Sequence, residues 1–484
     1  MSFQRRNIAT MDGYVPGEQV NSADVIKLNT NENPYPPSPT VTATLKEIDS
    51  AFLRRYPSPT AEPFREAAAR CHGISVDNIV PTNGGDELLR LVLTTFAEPG
   101  ESVAVTRPTY SLYRVLTEIQ ANPLHEIALE DTWDLPENFV RQLMDAGAKL
   151  CILVNPHAPT GKLLSVATLS EIASNFDGLL LVDEAYVDFV DPAREHDAVP
   201  LAIERDNVLL LRTLSKGYSL AGLRFGYGIG SAELIHPILY KTRDSYNTDY
   251  IAQQLAAAAM QSREYAENIW EKVREAREKL AEALRQLGFS VTPSQANFLL
   301  TTLPDGHCAK RLYQQLKSEN ILVRFFDQER LQDKLRISVG TPSENASLLA
   351  ALTSRFGEPS IAYEPPRHSM SAPLRIKYVW INDHVKDCYQ MKNTDRVLRG
   401  PSGALGELAI YRRLAQQGRA PSSLAMCEPV FEVLLHGDPV VHVEAAMLDT
   451  GNWLSGMEES NQWLAELQEN SSKQREKAGE VPAF

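Results

Sequence analysis

The segment Arg212-Thr-Leu-Ser-Lys216-Gly-Tyr-Ser-Leu-Ala-Gly-Leu-Arg224-Phe-Gly sets a nucleophile among anion-binding groups. Lys216 follows an apolar run, with the hydroxyls of Thr213 and Ser215 just before it and Arg224 eight residues beyond. A lysine that attacks an aldehyde must be neutral for part of its time. Nearby cations and partial burial supply that pressure on its pKa. Thr213, Ser215 and Arg224 would then surround an anionic handle such as a phosphate. Lys216 alone would read as a surface turn; the whole segment does not.

Asp183, in Leu181-Val-Asp183-Glu-Ala-Tyr186, ends another apolar run. A buried carboxylate there is costly unless a cation meets it. A protonated pyridine nitrogen is such a cation, and keeping it protonated makes the ring an electron sink. Tyr186 could donate to the phenolic oxygen of that ring. An aspartate capping a helix is the ordinary alternative. Asn83-Gly84-Gly85-Asp86-Glu87 opens a helix, where glycines let backbone N–H groups approach an anion. In Arg107-Pro-Thr-Tyr110-Ser-Leu-Tyr113, Tyr110 could stack on a flat ring or simply fill core. Arg324 and Arg336 sit in or beside apolar runs, where a buried guanidinium wants a bidentate carboxylate or a structural ion pair.

The elements that must position these groups follow from periodicity. Short Val/Leu/Ile runs at 102–106, 150–155, 179–183 and 207–212 alternate with amphipathic stretches, as in βαβ units around a buried, largely parallel sheet. Residues 250–287 read as one long helix ending at Gly288. Strands at 289–291, 297–301 and 335–338 and a helix at 309–319 make a second α+β unit ending near Phe356. The fold class is therefore α/β. A Pro-rich linker at 357–373 leads to a further module, with a strand at 374–381, a helix at 404–417 and a hairpin from 430–435 to 440–445. A polar tail follows from about 460.

The chain has 484 residues, 43% hydrophobic and 23% charged, which suits two or three globular cores. A formal charge of -14 argues against general affinity for nucleic acid or anionic membrane. The five cysteines show no CxxC spacing, so neither disulfides nor a metal site is expected. His72, His125, His196 and His236 show no ligand spacing either. The N-terminus lacks a signal-like apolar stretch and no run approaches the ~20 apolar residues of a membrane span. A cytoplasmic protein is the default expectation.

Over residues 8–356 the chain resembles the histidinol-phosphate aminotransferases, fold-type-I pyridoxal 5′-phosphate (PLP) enzymes of aminotransferase class I/II. The resemblance is carried by Tyr14-Val-Pro-Gly-Glu, Leu28-Asn-Thr-Asn-Glu-Asn-Pro-Tyr, Arg55-Tyr56-Pro57, Gly84-Gly85-Asp86-Glu87, Pro108-Thr-Tyr110, Asp183-Glu-Ala-Tyr186, Ser215-Lys216 with Arg224, Asn297-Phe298, Arg324 and Arg336. It implies an N-terminal segment (1–40) packed on the small domain, a large PLP-binding domain (41–249) and a small domain (250–356). It implies that Lys216 holds the cofactor and shuttles the proton at Cα, with Asp183 on the pyridine nitrogen, Tyr186 on the phenolic oxygen and Tyr110 on the ring face. Gly85, Asp86, Glu87, Thr213, Ser215 and Arg224 would bind the cofactor, mostly at its phosphate, joined by Tyr56 from a second subunit of a homodimer. Arg336 would clamp the α-carboxylate of glutamate; Arg324 and Tyr14, with Asn247 nearby, would take the phosphate of histidinol phosphate. The family usually has Asn directly before Pro-Thr-Gly, on the phenolic oxygen, but Asn155-Pro-His157-Ala158-Pro-Thr-Gly has Ala158 there. Tyr186 would then bear that contact alone and the pKa of the lysine imine would rise. His157 is expected to be solvent-facing or satisfied within the core.

The expected reaction is transamination between histidinol phosphate and 2-oxoglutarate. A threonine-phosphate decarboxylase and an aromatic-amino-acid aminotransferase share the scaffold, and a PLP-binding regulatory or assembly protein is the alternative of another class. Residues 374–484 lie outside the resemblance and are slightly acidic. Trp380, Trp453 and Trp463 supply apolar mass for a small core, and Arg399-Gly-Pro-Ser402 reads as a turn with Ser402 as N-cap. The module fits a docking role or a packing role equally.

Overall fold

The computed structural model describes residues 3–19 and 24–357, together with four short strands nearer the C-terminus. The chain divides into Met1–Ala362 and Tyr363–Phe484. In the first unit a seven-stranded sheet runs in the order β2 (Ile79–Thr82), β8 (Gly226–Ile229), β7 (Val208–Thr213), β6 (Leu179–Asp183), β5 (Ala148–Val154), β3 (Ser102–Arg107), β4 (Leu124–Ala128). Only β8 runs against its neighbours. The unbroken apolar runs have a direct cause. In β5, Leu150, Ile152 and Val154 enter the core on one face while Cys151 and Leu153 enter the core on the other. A strand covered on both faces has no polar side to display.

The small sheet has the order β12 (Arg324–Phe325), β13 (Lys334–Ser338), β10 (Phe298–Thr302), β9 (Ser290–Val291), all antiparallel. The N-terminal segment joins it through a two-residue parallel ladder, β1 (Ile26–Lys27) on β11 (Ile321–Leu322). Leu28 enters a third core with Leu284, Phe289, Leu299, Leu335 and Leu348. The helix Pro342–Phe356 starts with a Thr341/Glu344 capping box, which satisfies its first N–H groups.

The single helix expected over 250–287 is two: Tyr250–Gln261 and Arg263–Gln286. At Ser262 the chain leaves helical geometry, and its Oγ donates to Ala258 O (2.8 Å) and pairs with Ser38 Oγ (2.7 Å). Hydroxyls that bond locally compete with the helix ladder in this way. The first of the two helices packs on the helices Pro39–Glu47 and Glu62–His72, burying Leu255, Ala256 and Ala259 in the large-domain core.

In the second unit β14 (Cys388–Gln390), β15 (Val397–Arg399), β16 (Val430–Leu435) and β17 (Asp438–Glu444) form an antiparallel meander. The hairpin expected near 430–445 is its β16–β17 pair. The linker beyond Gly357, the strand at 374–381, the helix at 404–417 and the tail lie outside the described residues.

Candidate active site

The large sheet delivers its chemistry at one edge. β6 ends in Asp183, β7 in Thr213 just before Lys216, β2 leads into Gly84-Gly85, and Tyr110 follows β3. The carboxyl edge of such a sheet is where open α/β folds bind ligands. A single cleft there is lined by Tyr14, Gly85, Asp86, Tyr110, Tyr113, Ala158, Asp183, Tyr186, Thr213, Ser215, Lys216, Arg224, Arg324 and Arg336. Residues separated by over three hundred positions share it because the N-terminal segment pairs with Ile321–Leu322, beside Arg324 and Arg336.

Lys216 Nζ donates to Thr30 O at 3.0 Å. Burial, then the Arg336 guanidinium, push its pKa down to about 8. The neutral amine that attack on a carbonyl requires is thus accessible near neutrality. Asp183 is 5% exposed; its Oδ2 accepts from Tyr113 (2.8 Å) and its Oδ1 from the Ala185 N–H (3.1 Å). Burial raises its pKa to about 6 against those two hydrogen bonds. Behind it, Glu184 pairs with Arg212 Nε at 2.7 Å and lies 3.4 Å from His196 Nε2. Burial disfavours the Glu184 charge, but Arg212 and His196 outweigh it and hold the pKa below the usual range.

Tyr186 Oη accepts from Asn31 Nδ2 at 3.0 Å, which leaves its own proton to donate into the cleft. Asn31 adopts a left-handed φ of 55° and is pinned by Ser338 and by Asn297 Nδ2, which donates to Asn31 O at 3.0 Å. The ring of Tyr110 stands edge-on to Tyr14 at 5.9 Å. At the other end, Arg224 Nη2 meets Asp86 Oδ2 at 3.0 Å, and Thr213 Oγ1 donates to Ser215 Oγ at 2.9 Å. On the small sheet Arg324 and Arg336 are directly opposed across β12 and β13. Arg336 Nη2 donates to Asn29 O at 2.9 Å and its guanidinium lies 5.2 Å from the Phe298 ring centre. Its Nε is buried with no partner.

Three expected site residues stand apart from this cleft. Glu87 is spent within the protein: its Oε2 accepts from the Asn83 N–H (2.5 Å) and from Asn247 Nδ2 (2.8 Å). Asn247, whose Nδ2 also meets Pro81 O at 3.0 Å, is spent with it and does not face the cleft. The two residues satisfy each other, which single-residue reasoning could not anticipate. Tyr56 is 81% exposed and stacked on Tyr246, with ring centres 4.5 Å apart. His157 is satisfied within the core, with Nδ1 2.8 Å from Thr160 Oγ1 and Nε2 3.0 Å from Pro108 O. Burial keeps it neutral, with a pKa down to about 4.

The family model for aminotransferase class I and II matches residues 23–352. The chain belongs to this family. The aminotransferase is 46% identical to histidinol-phosphate aminotransferase 1 of Trichormus variabilis over 352 residues, 72% of this chain and 98% of the relative. It is 43% identical to the histidinol-phosphate aminotransferase of Microcystis aeruginosa, covering 71% of this chain and 96% of that one. In fold it is similar to the crystal structure of histidinol-phosphate aminotransferase from Sinorhizobium meliloti in complex with PLP. There the TM-score is 0.67 at 23% identity, over 74% of this chain and 98% of that chain.

The family's cofactor is PLP, and the residues present fit it. Gly226 leaves no room for a side chain: a Cβ there would stand 2.8 Å from Gly84 C and Gly85 N. A Cβ on Gly84 would stand 2.8 Å from Arg224 Nη2. Bare backbone thus brings the first turn of the Gly84–Phe96 helix and Arg224 together on the cleft wall, as an anion cradle requires. The same cleft holds the amine of Lys216, and the buried Asp183 carboxylate has no ion-pair partner among the described residues. Among those residues, no helix is long and apolar enough to cross a membrane and no cluster of metal-ligating side chains occurs.

Sequence reading missed Tyr113, Asn31 and the Glu184–Arg212–His196 group. Tyr113 carried a signal, since it lies three residues after Tyr110, in the first turn of the Leu112–Gln120 helix. For Asn31 the Asn-Thr-Asn-Glu-Asn string was visible, but its left-handed backbone was not.

Proposed function

We propose that this aminotransferase exchanges the amino group between glutamate and imidazole-acetol phosphate, giving histidinol phosphate and 2-oxoglutarate, as a step of histidine biosynthesis. The observation that carries the reading is the pair Arg324 and Arg336, opposed on adjacent strands and both on the wall of the Lys216 cleft. One guanidinium suits the α-carboxylate of glutamate. The other suits an anion at the far end, a carboxylate in one half-reaction and a phosphate in the other. Arg336, with its buried and unpartnered Nε, is assigned to the α-carboxylate. Arg324 and Tyr14 are assigned to the phosphate end. The names and 40–46% identities of the curated relatives support the same substrate.

When bound, PLP supplies an electron sink conjugated to the reacting Cα. The chain supplies position and proton transfer. Lys216 Nζ would hold the cofactor and serve as the base that moves the proton at Cα. Asp183 would hold the ring nitrogen charged, Tyr186 would donate to the phenolic oxygen, and Tyr110 would cover the ring face. Gly85, Asp86, Thr213, Ser215 and Arg224 grip the phosphate. Ala158 stands on the cleft wall at 6% exposure, so Tyr186 carries the phenolic contact alone. Exposed Tyr56, with exposed Phe52, Leu53 and Tyr246 near it in the chain or in space, fits burial against a second copy in a cytoplasmic homodimer.

Incubation of the PLP-loaded enzyme with histidinol phosphate and 2-oxoglutarate should release glutamate. No turnover with that pair, but turnover with phenylalanine, would reassign the enzyme to aromatic amino acids. Carbon dioxide from threonine phosphate would reassign it to decarboxylation.

A further inference from the structure

We propose that Tyr113 is a positioning residue that holds the Asp183 carboxylate ionised and in one orientation, and so governs how tightly the cofactor's ring nitrogen is bound. The inference rests on the assignment of Asp183 to that nitrogen. Tyr113 is fully buried, and its hydroxyl donates to Asp183 Oδ2 at 2.8 Å. The second oxygen, Oδ1, takes the Ala185 N–H at 3.1 Å. Each oxygen is thereby engaged once, which fixes the rotamer and leaves each a lone pair for an incoming N–H donor.

The surroundings explain why this bond matters. Asp183 makes no ion pair among the described residues. The other charged groups pressing on it are Asp86, from the Gly84–Phe96 helix, and Glu184, from its own strand's end, and both disfavour its negative charge. The neighbouring phenols of Tyr110 and Tyr186 carry no charge at neutral pH, since burial raises both pKa values. Two hydrogen bonds are therefore all that opposes burial. A protonated Asp183 would offer a donor where the ring N–H needs an acceptor.

Tyr113 is also an unusual choice for core filling alone. A phenylalanine would pack at the same spot, edge-on to Tyr110 at 5.5 Å, without a hydroxyl to satisfy. The hydroxyl has one described partner, and it is the carboxylate.

The test is Tyr113→Phe in the cofactor-free full-length chain. The readout is affinity for pyridoxamine 5′-phosphate, which forms no covalent bond to Lys216, measured by fluorescence across a pH series. Loss of a hydrogen bond to a charged group should weaken binding by roughly ten-fold or more at neutral pH. The acid limb of the affinity profile should also move to higher pH, because Asp183 would hold its proton longer. In an Asp183→Asn background the same change should have little effect, there being no carboxylate to keep ionised. An equal loss in both backgrounds, or an acid limb that stays in place, would overturn the proposal and leave Tyr113 a packing residue. Failure of the unaltered chain to bind pyridoxamine phosphate would instead sink the cofactor assignment, and the proposal with it.

Discussion

Replacing Arg336 with lysine separates geometry from charge at the proposed carboxylate seat. The guanidinium is held by Asn29 O at 2.9 Å and lies between Phe298 and Phe326, with ring centres 5.2 and 5.4 Å away. That leaves the buried Nε, without a partner in the protein, and the second hydrogen of Nη2 to donate side-on to a carboxylate. A lysine keeps the positive charge that helps depress the Lys216 pKa but offers a point donor in place of two parallel N–H bonds. The loss is one charge-assisted hydrogen bond, about 1.5–3 kcal/mol, or roughly ten- to a hundred-fold. Steady-state kinetics should show that fall in kcat/KM for glutamate, carried mainly by KM. Cofactor affinity should hold, since Arg336 is not part of the phosphate cradle. If KM for glutamate moved by less than about three-fold, well below one such bond, the α-carboxylate would sit elsewhere and the roles of the two arginines would need exchange.

Three further outcomes follow from the same geometry. The association rate of PLP with cofactor-free enzyme should rise with pH through the pKa of Lys216, about 8, and Arg336→Leu should move that midpoint upward. A midpoint near that of an ordinary lysine would contradict the assigned cause. Gly226→Ala would push a methyl group against Gly84 and Gly85, and overpacking of this kind costs about 1–3 kcal/mol. Denaturant unfolding should record that loss, and PLP affinity should fall with it as the glycine turn is displaced. Glu184→Gln leaves Arg212 buried without its counter-charge and should destabilise the fold by about 3–5 kcal/mol. The folded-state pKa of Glu184 lies below its unfolded value of 4.5, so its stabilisation is present above that pH and is lost as pH falls through the folded pKa. Stability measured against pH should lose that acid-side slope in the variant.

Much of the site was legible because it lies at strand ends, and strand ends are marked by where an apolar run stops. Asp183, Thr213 with Lys216, and Gly84-Gly85 each follow such a run, so their convergence at one sheet edge follows from the βαβ pattern. Arg336 was legible as a charge inside an apolar strand. What escaped were pairings set by tertiary approach. Tyr113 reaches Asp183 across seventy positions, and Glu87 binds Asn247 across one hundred and sixty. No local pattern encodes either. The helix break at Ser262 was hidden by strong helical periodicity on both sides, since a single serine is tolerated in most helices and ends one only when its hydroxyl finds backbone partners. His157 shows the converse. The rarity of isolated functional histidines left it either solvent-facing or satisfied within the core, and the structure decides for the core by the two partners that occupy its ring nitrogens.

The most direct measurement is reductive labelling of the amine on which every assignment depends. Cofactor-free protein is incubated with PLP, reduced with borohydride, digested, and mapped by mass spectrometry. A yellow protein whose phosphopyridoxyl group sits on Lys216, and whose labelling is lost in Lys216→Ala, is the expected result. Protein that stays colourless, or label spread over surface lysines with Lys216 unmodified, would contradict it.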